Sequence, residues 1–327
     1  MSNWKSVLND DPIDWLLESN PWTRHMTLIE LLGEPKGSEK ASIARKDLKE
    51  HPLVSKLLKD TEEWFISPSM RHDDSKMPHY KLKMLADFGF TKSDEDIKRI
   101  IEVVTQHTDN NLYAIKQSPP QKVKSDKEKK ESKEWHALPC DSPLISTTLY
   151  RLGDRSKELE ETIDIIKDKW MNETGWFCNL FFVKSQYKKH QIGCMMAGLQ
   201  ALELFSLVPD MEEKPIQNAL HPLKFHRKYG KSLYYFGRSK RFWSFKYPFV
   251  WYNALYLAEV LTRFEFLKDE ELLREIIDWI IDSQDDKGRF GPTSMFRHYS
   301  KWDFANKKEV SPWITYLCCK ILKRYYN

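Results

Sequence analysis

Six apolar segments recur along the chain, and this repeat constrains the fold more than any other feature of the sequence. They start at Pro21, Pro78, Pro143, Gly193, Pro248 and Pro312. The spacing corresponds to a repeat of roughly 50 to 65 residues. A proline suits the first position of a helix, because that N–H has no helical partner. A helix that is apolar on every side must be buried on every side. We therefore expect six buried helices.

Capping residues support the expected ends of these helices. Asn20, Ser142 and Ser311 each precede a proline, and their side chains suit an N-cap. Glycine favours the left-handed conformation that ends a helix. Three segments end on a glycine: Gly33, Gly89 and Gly153.

Helices of a second kind lie between the apolar ones and carry one charged face. Spacings of three and four residues between apolar positions are typical of such amphipathic helices. The apolar stripes are Ile97, Ile100, Ile101 and Val104; Leu159, Ile163, Ile166 and Trp170; and Leu272, Leu273, Ile276, Ile277, Ile280 and Ile281. The alternation predicts an all-α fold in which an outer ring of helices surrounds an inner ring. An open α-solenoid is the alternative, although its helix pairs usually repeat at about 34 to 47 residues.

One segment interrupts the repeat without ending it. Residues 118–134 carry ten charges and no large apolar side chain except Val123. Such a composition predicts a mobile surface loop. Because the repeat resumes afterwards, we expect residues 1–327 to form a single domain.

Cysteine usage and charge limit the compartment and the partners. The five cysteines are an odd number, and two of them are adjacent, which is a poor framework for disulfides. The first residues contain no apolar stretch typical of a signal peptide, and the chain contains no apolar segment long enough for a membrane span. We expect a cytoplasmic protein. The net charge of +4 is too small to imply nucleic acid by itself.

The repeat and one turn motif resemble a known superfamily. The segment from Gln284 through Gly288 to Phe290 is similar to the QxxxGxW turn of squalene and terpene cyclases, and Thr174-Gly175-Trp176 is a degenerate relative. The chain thus resembles the α/α-toroid superfamily, which also includes the β subunits of protein prenyltransferases. Segments such as WLLESNPWTRHMTLIELLG and KYPFVWYNALYLAEVLTRF are similar to bacterial and archaeal prenyltransferase/squalene-oxidase-repeat proteins.

This resemblance implies a function as well as a fold. It implies an α/α toroid whose central cavity holds a small or lipid-like ligand, such as an isoprenoid, and an activity of the transferase or cyclase kind. The acidic DxDD motif of class II cyclases is matched at Asp141 alone, and no DDxxD motif occurs. The zinc-binding Asp-x-Cys of the prenyltransferases is matched at Cys194, with Ile192 in place of the acid. The alternative is a toroid that binds a ligand or a protein without catalysis.

A zinc site is one hypothesis for the loops that lead into the inner helices. Thiolates and imidazoles are the usual zinc ligands. The candidates are Cys140, Cys178, Cys194 and His190, with His136 nearby. These thiols could instead be ordinary buried side chains, or Cys194 could act as a nucleophile at a helix start.

An acid–base site is a second hypothesis. His72, Asp74 and His79 lie before or at the start of the second inner helix, and Asp141 lies at the start of the third. A carboxylate beside an imidazole can transfer protons. The alternative is a helix start with favourable acidic residues and a solvated histidine.

A basic and aromatic stretch supplies the third hypothesis. Residues 214–258 hold nine lysines and arginines and no acidic residue. We expect Lys240, Arg241 and Lys246 to lie at the cavity rim and to bind an anionic head group, helped by helix N-termini. A surface for single-stranded nucleic acid and a solvated loop are the alternatives. Three tryptophans could line the cavity or belong to the core: Trp176, Trp251 and Trp313.

Overall fold

The computed structural model describes residues 3–69, 73–117, 134–171, 176, 192–231 and 236–327, which are mostly helical. The α-helices are α1 (Ile13–Leu17), α2 (Pro21–Met26), α3 (Glu39–Glu50), α4 (Pro52–Glu62), α5 (Pro78–Asp87), α6 (Glu95–Thr105), α7 (Asp141–Arg151), α8 (Lys157–Met171), α9 (Met195–Phe205), α10 (Glu213–Tyr229), α11 (Ala254–Leu261), α12 (Glu271–Asp282) and α13 (Pro312–Tyr326). A π-helical turn, Thr27–Leu31, continues α2.

Short strands are also present. They are β1 (Thr108–Asp109), β2 (Leu112–Tyr113), β3 (Ile115–Lys116) and β4 (Trp135–His136). β1 pairs with β2 and β3 pairs with β4, both antiparallel. The backbone N–H of Gln117 donates to the carbonyl of Glu134 at 3.0 Å, so the residues that flank the charged segment lie side by side. Its residues 118–133 lie outside the described part of the chain.

The described residues group into two compact units. One consists of residues 1–56 and 226–327, and the other of residues 57–225. The first contains the buried helices α2, α11 and α13, and the second contains α5, α7 and α9. The closed double ring and the single domain stay predictions.

The six expected buried helices are present. Every residue of α5, α9 and α11 is buried, including the charged ones. The amphipathic helices α6, α8 and α12 bury their apolar stripes and expose their charged residues, with Ile101 and Ile281 half-buried at the edges. No helix within the described ranges is both long enough and apolar enough to cross a membrane.

The helix ends follow the expected caps in most places. The side chain of Asn20 accepts a hydrogen bond from the N–H of Thr23, and that of Ser311 accepts one from Ile314. The expectation for Ser142 was wrong, because α7 begins one residue earlier, at Asp141. Ser142 therefore lies within the first turn, where its N–H bonds to the carbonyl of Leu138 at 3.0 Å.

Two glycines end buried helices in the same way. Gly89 follows α5 with φ 85°, and Gly153 follows α7 with φ 93°. After α5, the N–H of Phe90 bonds to the carbonyl of Leu85 at 3.1 Å, and the N–H of Gly89 bonds to Ala86. The same pair of bonds follows α7, which is the Schellman ending that requires a left-handed residue. Gly33 also has a positive φ.

The fifth buried helix starts later than the sequence predicts. It begins at Ala254 and not at Pro248, which follows a cis peptide bond. The side chain of Asn253 accepts a hydrogen bond from the N–H of Tyr256 at 2.9 Å. This cap fixes the start of α11, because a side chain that accepts the free N–H groups of the first turn defines a helix end.

The turn motif at Gln284 connects the N-terminal segment to α12. The side-chain amide of Gln284 donates to the carbonyl of Val7 at 3.0 Å, and its oxygen accepts from the N–H of Asn9 at 2.6 Å. A Cβ on Gly288 would come within 2.2 Å of the carbonyl oxygen of Asp10, so only glycine fits. Phe290 is completely buried.

A charged side chain lies in the C-terminal half of five of the buried helices, and Glu30 lies in the π-helical turn that continues α2. In the unit of residues 57–225, the cation lies on the central helix, α7, between two carboxylates. Arg151 Nη1 lies 2.5 Å from an oxygen of Asp87 on α5 and 3.7 Å from Glu203 on α9. Lys83 of α5 adds a second cation, 2.5 Å from Glu203, with both side chains almost fully buried.

The other unit repeats this arrangement. Lys320 of α13 lies 3.0 Å from Glu259 of α11 and 3.5 Å from Glu30 in the π-helical turn after α2. The guanidinium of Arg324 lies 3.1 Å from Glu259, and that of Arg263 lies 3.0 Å from it. Burial alone would raise the pKa of Glu259, but these three cations hold it well below its usual range.

We expect Arg151→Met to destabilise the protein by about 3–5 kcal/mol, because breaking a buried ion pair leaves charges without compensation. Urea unfolding monitored by circular dichroism measures the change. Arg99→Met is the matched control, since Arg99 makes its ion pairs with Glu62 and Asp96 on the surface. Exposed pairs contribute little, so the control should shift the unfolding midpoint far less. Equal shifts would contradict the importance of the buried network.

We expect Glu259→Gln to change how stability depends on pH. A carboxylate with a lowered pKa in the folded protein stabilises it above the ordinary value of about 4.5, and this stabilisation disappears as the pH falls further. The variant should be less stable than the wild type at neutral pH, and the difference should narrow in acid. Denaturant unfolding over a pH series tests this. Glu265→Gln, which changes a carboxylate with 84% of its side chain exposed, is the control. A difference that stays constant with pH would refute the expectation.

Candidate active site

The structure brings together two of the residues that the sequence marks for acid–base chemistry. His79 lies in the first turn of α5, directly after Pro78, and Asp141 is the first residue of α7. Because α5 and α7 pack side by side, Nε2 of His79 lies 3.7 Å from Oδ1 of Asp141. The side chains are 2% and 3% exposed, so water is largely excluded from the pair.

Helix ends set the local field at this pair. The N-terminus of a helix carries partial positive charge, which favours an anion and disfavours a cation. The start of α7 therefore favours negative charge at Asp141, while the start of α5 disfavours positive charge at His79 and the neighbouring carboxylate favours it. The separation of 3.7 Å is longer than a hydrogen bond. Such contacts often shorten only when a ligand binds.

Aromatic rings surround the imidazole. Phe65 stacks on His79 with ring centroids 5.5 Å apart and an interplanar angle of 9°. The ring of Tyr80 lies 4.0 Å away and is tilted. Burial raises the pKa of Tyr80 well above its ordinary value, and the negative charge of Asp141 raises it further. The phenol therefore stays protonated and remains able to donate a hydrogen bond.

Asp74 forms the turn before α5, and its negative charge contributes to the raised pKa of Tyr80. Its carboxylate accepts from the N–H of Lys76 at 3.0 Å, and its carbonyl accepts from the N–H of Met77 at 3.1 Å. This is the role of an acidic residue at a helix start. His72 lies outside the described residues.

The described thiols belong to no group of three potential metal ligands within the described residues. Cys140 and Cys194 are buried just before α7 and α9, and the N–H of Cys194 donates to the carbonyl of Trp176 at 3.2 Å. Over the part of the chain that the structure describes, no three His, Cys, Asp or Glu residues group closely enough to hold a metal ion. Cys178 and His190 lie outside that part, so the zinc hypothesis stays a prediction. His136 is in β4 and half-buried.

Aromatic faces accompany the cations of the basic stretch. The guanidinium of Arg241 lies 4.6 Å from the ring centre of Phe236, and the ammonium of Lys246 lies 3.7 Å from that of Phe296. A cation over an aromatic face is stabilised by the ring quadrupole. Lys240 and Arg241 are exposed and Lys246 is half-buried. That these three residues lie at the rim of a cavity and bind an anionic head group remains a prediction.

The three candidate tryptophans differ in their surroundings. Trp313 is completely buried and packs against Tyr316 and Tyr247, as a core residue does. Trp176 and Trp251 are half-buried.

Sequence reasoning missed Tyr80 and Phe65 at the candidate site, and Lys83 and Glu203 in the charged network. Most of the network had a detectable signal, because each apolar segment carries a charged residue 8 to 11 positions after its start: Glu30, Asp87, Arg151, Glu203, Glu259 and Lys320. The aromatic residues had none, because apolar rings are expected in any core.

Comparisons with known proteins give no family. No family model matches the chain, and no curated protein matches it. The resemblance to the α/α toroids rests on the repeat and the turn motifs in the sequence.

We expect pyrophosphate at low concentration to raise the melting temperature of the wild type, because a ligand that binds only the folded state stabilises it. The Lys240→Ala/Arg241→Ala/Lys246→Ala variant should respond much less. Differential scanning fluorimetry measures both, with sulfate as a second anion. Equal shifts in the two proteins, or none, would show an ordinary solvated surface.

Proposed function

We propose that this protein is an enzyme that transfers protons to or from a small or lipid-like, largely apolar ligand. His79 and Asp141 are its acid–base pair. The observation that carries the proposal is the 3.7 Å approach of these two side chains at the starts of neighbouring buried helices. The local sequence does not require this contact, because His79 and Asp141 belong to different helices.

Each residue of the pair has a role that its surroundings favour. The neutral imidazole of His79 accepts a proton, and the carboxylate of Asp141 stabilises the imidazolium that forms, as in other His–Asp pairs. The proton then returns to another atom of the ligand.

The surroundings of the pair favour an apolar ligand. A charged or strongly hydrated molecule would lose its hydration among the rings of Phe65 and Tyr80 without gaining equivalent partners. The resemblance to cyclases and prenyltransferases makes isoprenoids the first class to test. We therefore propose an activity of the cyclase or isomerase kind on an isoprenoid-like chain.

Deuterium incorporation tests this function. The wild type is incubated in D₂O with uncharged polyprenes and with isoprenyl diphosphates, and the recovered compounds are analysed by mass spectrometry. We expect incorporation or cyclisation that falls by about 10²–10⁴-fold in Asp141→Asn and in His79→Gln, the range of general acid–base catalysis.

A matched variant separates chemistry from folding. Asp154→Asn changes another buried carboxylate of the same unit, one that accepts from the N–H and hydroxyl of Ser156. It should retain activity. Turnover that survives both site substitutions would refute the roles of His79 and Asp141. Binding of these compounds without turnover would favour the non-catalytic alternative.

A further inference from the structure

A row of aromatic rings connects half-buried positions to His79. The rings of His107 and Trp135 are stacked, with centroids 3.6 Å apart and an angle of 6°. The edge of Trp135 meets Phe65 at 5.9 Å, and Phe65 stacks on His79. His107 and Trp135 are half-buried, whereas Phe65 is 3% exposed. Phe65 thus stands between the outer rings and the imidazole.

The small sheet positions these rings relative to the candidate site. Trp135 belongs to β4, which pairs with β3. The segment after Phe65 joins the same sheet, because the N–H of Ser69 donates to the carbonyl of Lys116 at 2.8 Å. From β4 the chain leads directly into α7 and Asp141. The small sheet therefore connects the backbone segments that carry Phe65, Trp135 and Asp141.

The backbone at Phe65 indicates that its ring is needed there. Phe65 has a φ of 47°, in the left-handed region that bulky residues rarely adopt. Glycine or asparagine would suit this conformation better. Such strain persists where packing holds a residue in place, and it is concentrated at functional sites. The turn alone does not account for a phenylalanine, whose ring contacts His79, Trp64 and Trp135.

We infer that Phe65 covers the His79 imidazole and determines which ligands reach it. It admits an uncharged, apolar group that stacks on its ring or displaces it, and it excludes charged and hydrated molecules, which gain no hydrogen bonds from its face. The catalytic relevance of this cover rests on the proposed function of His79. The cover itself is measurable without any activity.

Chemical modification of histidine tests the cover. Diethyl pyrocarbonate modifies accessible imidazoles, and peptide mass spectrometry gives the rate at each position. In the wild type, His79 should be protected while His221, which is exposed on α10, reacts freely. In Phe65→Ala, protection should be lost and His79 should react at a rate approaching that of His221. Phe65→Gly should give the same result, and glycine also adopts the positive φ of this position without strain.

Phe90→Ala is the matched control. Phe90 is a buried phenylalanine of the same unit beyond the C-terminal end of α5, so its loss leaves a cavity far from His79. His79 should stay protected in this variant. Rapid modification of His79 in the wild type, continued protection in both Phe65 variants, or equal exposure in Phe90→Ala would each overturn the inference.

Histidine modification and turnover, measured together, separate this inference from the proposed function. Loss of protection in Phe65→Gly, together with turnover that survives Asp141→Asn, would support the cover and refute the acid–base role. Continued protection in Phe65→Gly, together with turnover that Asp141→Asn abolishes, would refute the cover and support the role.

Discussion

In each unit, a largely buried cation on the central helix lies between carboxylates from its two neighbours. Arg151 faces Asp87 and Glu203, and Lys320 faces Glu259 and Glu30. A charge in an apolar interior is strongly destabilising unless it is paired. Each cation is therefore compensated only if the carboxylates of both neighbouring helices lie level with it along the helix axes. The three buried helices of a unit are matched to one another by charge, whereas apolar packing alone would tolerate other neighbours and registers.

The candidate active site depends on this matching. Asp87 and Arg151 join α5 and α7 at their C-terminal ends, and His79 and Asp141 meet at the N-terminal ends of the same helices. Eight residues of helix separate His79 from Asp87, about 12 Å at 1.5 Å per residue. Helices held at one end and packed along their length position the pair more precisely than loops would.

The sequence by itself determined the helices and most of their ends. Burial of the apolar segments, the caps at Asn20 and Ser311, and the left-handed endings at Gly89 and Gly153 all depend on hydrogen bonds and periodicity within a few residues. Pro248 was misleading because proline permits a helix start without requiring one. The side chain of Asn253 determined where α11 begins.

Only the tertiary structure decided which side chains meet. His79 and Asp141 belong to different helices, and their contact follows from how these helices pack. Arg151 could have been read as an exposed residue at the end of a helix, and its contacts with Asp87 and Glu203 make it part of a buried network. The ring of Phe65 carried no signal in the sequence and lies against His79. Local patterns determine which segments are buried, because burial follows from composition and period. The choice of neighbours depends on packing and charge between segments far apart in the chain.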